Sequence, residues 1–82
     1  MAKRNKLITK LAAGGNTFPW SELVTLMAQL GYEQQEMAGS RVRFYNSSTQ
    51  HMLRLHRPHP ENTIKGGALK AVRQALKHEG YL

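Results

Sequence analysis

The sequence contains no cysteine and no aspartate. Without cysteine, a disulfide framework, a thiolate zinc site and a thiol nucleophile are all excluded. Every acidic residue is Glu, and the five of them are scattered along the chain. Two-metal phosphoryl chemistry needs carboxylates that converge on one point, so this distribution argues against it. Long apolar runs are missing as well. Nothing approaches the ~20 residues of a membrane span, and the N-terminus lacks the roughly 7–15-residue apolar stretch of a secretory signal. What the chain does have is positive charge. Lys and Arg number 12 against 5 acids, giving +7 with His neutral, in a chain of 82 residues. A length of this order makes one domain with a small core. The balance predicts a basic, cytoplasmic protein whose partner carries phosphates or a strongly acidic surface.

Periodicity divides the chain into six elements. Residues 1–11 place Leu7, Ile8 and Leu11 at helical spacing among cations, and Gly14-Gly15 ends that helix. A linker follows, so 1–16 reads as an N-terminal helical extension and 17–82 as a single domain. Pro19 suits a first helical position. Leu23, Val24, Met27 and Leu30 form one stripe of a helix over 19–30, with Trp20 at its base and Gly31 as its C′ residue. Residues 32–36, 41–45 and 51–56 read as strands, separated by a turn at 37–40 and a hairpin loop at 46–49. Pro58 and Pro60 stop the third strand. Glu61 to Gly67 reads as a loop, and a last helix covers 67–79 with Leu69, Val72, Ala75 and Leu76 as its stripe. The fold class is α+β, in the order α-α-β-β-β-α, with helices on one face of a three-stranded antiparallel sheet. The predicted core is Trp20, Leu23, Met27, Phe44, Leu53, Leu55, Leu69, Val72 and Leu76.

Alternation along the strands then sorts side chains by face. If Val42, Phe44, Leu53 and Leu55 point to the helices, Arg41, Arg43, Arg54 and His56 share the open face. Opposed cations repel by a few tenths to ~1 kcal/mol, so that face either meets an anion or is simply polar. His51, His56 and His59 admit three roles. As metal ligands they lack the helical spacing of a zinc protease motif and have only Glu61 nearby. As structural groups they bond loop backbone. As proton-transfer groups they suit RNA cleavage, because RNA brings its own 2′-OH nucleophile and needs only a base, an acid and cations at the phosphorane. His78, near the end of the last helix, favours the dipole.

The order of elements, the segments Leu30-Gly31-Tyr32 and Gly39-Ser40-Arg41-Val42-Arg43-Phe44, the stretch His56-Arg57-Pro58-His59-Pro60 and the helix Leu69 to Leu76 together resemble the HicA toxins. The likeness covers about residues 17–79. It implies a double-stranded-RNA-binding-domain-like fold and metal-independent ribonuclease activity on messenger RNA, with no cofactor. It also implies a HicB-type antitoxin partner in a bacterial or archaeal cytoplasm. The family pattern at the second strand is Gly-Ser-His, and its His is catalytic. Here the slot holds Arg41, whose side chain cannot act as a base at neutral pH. The expected catalytic set is therefore His59, His56 and Arg41, with Arg41 acting on charge alone. The expected RNA-binding set is Ser40, Arg41, Arg43, Arg54, Arg57 and Lys65. Two alternatives stay open. One is a non-catalytic RNA-binding module on the same fold, against which stands the scarcity of stacking aromatics beyond Tyr45. The other is an adaptor for an acidic protein.

Overall fold

The structure, a computed structural model, describes residues 6–82. The elements are α1 (Lys6–Ala12), β1 (Thr17–Pro19), α2 (Trp20–Gln29), β2 (Glu33–Glu36), β3 (Arg41–Asn46), β4 (His51–His56), β5 (Thr63–Lys65) and α3 (Gly66–His78). The fold is α+β, and the predicted order of three helices and a three-stranded sheet holds. The first five residues of the predicted N-terminal helix lie outside the described residues.

Two short strands stand where the sequence reads as linker and loop. β1 and β5 pair antiparallel, with Thr17 opposite Lys65, Phe18 opposite Ile64 and Pro19 opposite Thr63. Three residues are too few to display a period of two, and the partners are far apart in the chain. Pairing across the fold, rather than local propensity, makes these strands. Phe18 and Ile64 are their buried members. Pro19 is the N-cap of α2 rather than its first helical residue, with extended backbone at φ −61° and ψ 134°. The first turn is instead anchored by the Trp20 N–H, which donates to the Asn62 carbonyl at 3.0 Å.

Both long helices end in the same way. In α2 the Gly31 N–H donates to the Ala28 carbonyl and the Tyr32 N–H to the Met27 carbonyl. In α3 Gly80 donates to Lys77 and Tyr81 to Leu76. This is the Schellman arrangement, which requires a left-handed residue just past the helix. Gly31 and Gly80 supply it, with φ of +93° and +90°.

The larger sheet has the order β2-β3-β4. In the β3–β4 hairpin Val42 pairs with Leu55 and Phe44 with Leu53. All four are buried in one cluster with Leu23, Leu26 and Met27 of α2 and Leu69, Val72 and Leu76 of α3. The nine predicted core residues are all in that cluster. Leu11 of α1, Phe18, Tyr32 and Ile64 complete it. The Leu11 carbonyl also accepts a hydrogen bond from Arg73 Nε at 2.9 Å, tying α1 to α3.

Asn46 closes β3 and is buried, although the sequence reads it as a loop residue. Its Nδ2 donates to the Leu30 carbonyl at 3.1 Å, and its Oδ1 accepts from the backbone N–H of Ser48 at 2.9 Å. One side chain therefore joins the end of α2 to the β3–β4 turn. Beside it, Tyr32 packs edge-on against His51 and Tyr81. Tyr32 Oη and His51 Nδ1 are hydrogen-bonded at 2.5 Å.

Burial, helped by the neighbouring Tyr81 and Glu79, pushes the Tyr32 hydroxyl up to about 12 from its ordinary 10.0. An acid whose native pKa lies above its unfolded one holds its proton more tightly when folded. Its contribution to stability is complete below the unfolded pKa and is lost as pH rises through the native one. The urea midpoint should accordingly fall between pH 10.0 and about 12. Tyr32→Phe starts lower, having lost the bond to His51, and falls less over that window. Parallel slopes for parent and variant would remove Tyr32 as the source.

Candidate nucleic-acid interface

The uncovered face of the β2-β3-β4 sheet is built by alternation. With Val42, Phe44, Leu53 and Leu55 committed to the core, their neighbours must point outward. The register sets Arg41 opposite His56, Arg43 opposite Arg54 and Tyr45 opposite Met52. From β2, Gln35 stands opposite Arg43 and Glu33 opposite Tyr45. The face is thus a ladder of rows, cationic at one end and apolar at the other.

Arg41, Arg43, Arg54 and His56 line one concavity of about 380 Å³, together with Met37, Val42 and Leu55. No carboxylate contributes to its wall. The guanidinium groups are held in different ways. Arg41 Nε donates to the Ala38 carbonyl at 3.3 Å. Arg43 donates through Nε at 2.9 Å, and through a second nitrogen, to Gln35 Oε1. This neutral amide orients Arg43 without cancelling its charge. Among the described residues, no ion pair involves Arg41, Arg43 or Arg54. Three arginines, unpaired with acids, concentrate positive potential in the concavity.

The 37–40 turn closes one end. The Met37 N–H donates to the Arg41 carbonyl at 3.0 Å. Ser40 Oγ lies 3.4 Å from His56 Nδ1. The Ser40 carbonyl accepts from the Arg57 N–H at 2.7 Å, fixing the start of the loop that follows β4. Arg57 itself directs its guanidinium to Glu36.

The expected site residues therefore separate. Arg41, Arg43, Arg54 and His56 come together around the concavity, with Ser40 beside His56. Arg57 adjoins them through its backbone, but its charge is shared with Glu36. His59 is exposed on the 57–62 loop and forms no part of the concavity wall. Lys65 lies on β5, paired with Glu61 at 3.0 Å. It lines a different hollow with Gly66, Lys70 and Arg73. His51 is turned toward Tyr32 and away from the Arg rows. Sequence reasoning missed Met37, which it reads only as a turn residue. Its one signal was a large apolar side chain beside Gly39-Ser40.

Among the described residues, no three His, Cys, Asp or Glu side chains gather where they could hold a metal ion. No helix of the described chain is long and apolar enough to cross a membrane.

A family model described as the HicA toxin of bacterial toxin–antitoxin systems matches residues 20–80. No curated protein and no solved structure matches. The matched span runs from the first residue of α2 to the glycine that closes α3, and so takes in the whole sheet, its open face and the helices behind it. On that coverage the chain belongs to the HicA toxin family.

Proposed function

We propose that this toxin is a metal-independent endoribonuclease that cleaves messenger RNA in the cytoplasm. Its partner is a HicB-type antitoxin that neutralises it by covering the open sheet face. The observation that carries the reading is the concavity in which three arginines and one histidine converge with no acid among them. A cluster of cations with no acid beside it suits the phosphates of a nucleic-acid backbone.

The chemistry follows from what each group can do. The 2′-OH of RNA attacks the adjacent phosphorus, the P–O5′ bond breaks, and a 2′,3′-cyclic phosphate remains. His56, in the concavity wall, takes the proton from the 2′-OH. His59, on the loop whose start is pinned to Ser40, returns a proton to the leaving 5′ oxygen. Arg41, Arg43 and Arg54 stabilise the charge that builds on the phosphorane, where fixed donors act most strongly. Arg41 fills the slot of the family's catalytic His and contributes charge only. Arg57, at the start of the loop beside the concavity, extends the phosphate path.

The test is purified protein on a long RNA in EDTA, with the ends of the products analysed. Cleavage leaving 2′,3′-cyclic phosphates supports the assignment. Binding without cleavage would favour the second reading, a non-catalytic RNA-binding module, which Arg41 in place of the family's His specifically supports. Binding itself should respond to the arginines. For single strands each lost phosphate contact lowers the slope of log K against log salt by ~0.7. The double variant Arg41→Ala, Arg43→Ala should therefore flatten that slope by about twice this amount. An unchanged slope in fluorescence titrations would move the site off the sheet.

A further inference from the structure

The described residues expose two large apolar side chains, Met37 at 44% and Met52 at 36%. Both flank the arginine rows of the same sheet face. Met37 forms the concavity wall beside Arg41 and His56. Met52 pairs with Tyr45 in the row beyond Arg43 and Arg54. Successive rows on one face of an antiparallel sheet are ~6.8 Å apart, two residues of rise. The face therefore alternates along its length between a thioether, two cationic rows and an aromatic–thioether pair. Thioethers and phenol rings pack against flat π-systems. Glu33, across from Tyr45 on β2, makes that end unfavourable for a phosphate and leaves it open to an uncharged ring.

We propose that Met37 at one end and the Tyr45–Met52 pair at the other are seats for nucleobases, so that the face takes single-stranded RNA with its phosphates on the arginines between them. This rests on the RNA-binding reading and adds the substrate's form. In a duplex the bases are stacked on one another and their faces are hidden. Only an unpaired strand can lay bases on these side chains. Because every base has a π-face, the seats tolerate sequence. They also answer the shortage of aromatics in this basic chain, since two methionines take the places that stacking rings fill elsewhere.

The probes are a labelled single-stranded 2′-O-methyl RNA, which keeps bases and phosphates but has no nucleophile, a blunt duplex of the same sequence, and inorganic polyphosphate as competitor. The parent should prefer the single strand. Tyr45→Ala should weaken single-strand binding by roughly five- to hundredfold, and Met37→Ala several-fold. Neither should alter the salt slope or the competition by polyphosphate, which has no bases. Tyr45→Phe keeps a ring and should bind as the parent does. Met37 is exposed, so its variant tests the seat even if Tyr45→Ala folds poorly. Equal losses for RNA and polyphosphate, no loss in either variant, or a duplex bound as tightly as the strand would each overturn the seats. Those outcomes leave the ribonuclease reading standing, whereas a parent that binds neither form of RNA overturns both.

Discussion

On the proposed mechanism, His56→Ala should fold and bind RNA like the parent but cleave it ~10²–10⁴ times more slowly. That is the loss expected when a positioned general base is removed. The geometry isolates the effect. His56 is exposed at the end of β4, outside the core, so truncation opens no cavity. Its hydrogen bond to Ser40 Oγ is long, at 3.4 Å, and not one on which the fold would depend. Arg41, directly across the ladder, remains to hold the phosphate. His59→Ala should also slow cleavage, and by less if water can protonate the leaving oxygen. Expression toxicity and transcript mapping give the same answer in cells, where His56→Ala no longer arrests growth. Parental cleavage rates in both single variants and in the double variant would end the histidine mechanism.

Phe44→Ala should remove a large part of the domain's stability. Phe44 is 1% exposed at the centre of the middle strand. Its ring lies 6.0 Å from that of Trp20, tilted by 55°. It joins the sheet to α2 at the point where the two layers meet. Removing a buried Phe costs ~3–5 kcal/mol through lost transfer energy and the cavity left behind. A domain of this size has a total stability of only about 4–12 kcal/mol, so that loss takes a large part of it. Circular dichroism melts should place the transition of Phe44→Ala far below the parent's. Phe44→Leu, which keeps most of the volume, should show a smaller drop. A melting temperature unchanged in Phe44→Ala would mean that β3 is out by one residue, and that the arginines face the helices instead.

That dependence of one face on the other is why so much of this protein could be read from its sequence. Val42 and Phe44 alternate with Arg41 and Arg43, and Leu53 and Leu55 with Arg54 and His56. Committing the apolar set to the core placed the cations without any structure. The helices were equally plain, since Leu69, Val72 and Leu76 repeat at helical spacing. What escaped was whatever depends on distant pairing. β1 and β5 have three residues each and no periodicity of their own. Asn46 looks like a turn former, and only the approach of the end of α2 makes it a buried link. Met37's only mark in sequence is an apolar side chain in a turn, which does not say that it forms part of a wall. His59 lies on a loop, and no periodicity fixes where a loop carries its side chains.

The small β1–β5 ladder has a consequence for how the chain folds. The β2-β3-β4 meander can form from neighbouring residues through short turns. The ladder cannot, because α2 and the whole meander lie between its two strands, and the entropy of closing that loop must be met before any of its contacts forms. α3 begins at the residue after β5, so the ladder also sets where the last helix docks. β1, β5 and α3 should therefore behave as one late-forming cooperative unit. Its opening in the native state should lift Leu69, Val72 and Leu76 from the back of the sheet, leaving the β2-β3-β4 meander paired. The slowest step of folding and the first step of unfolding are then expected on the side of the sheet opposite its arginine face.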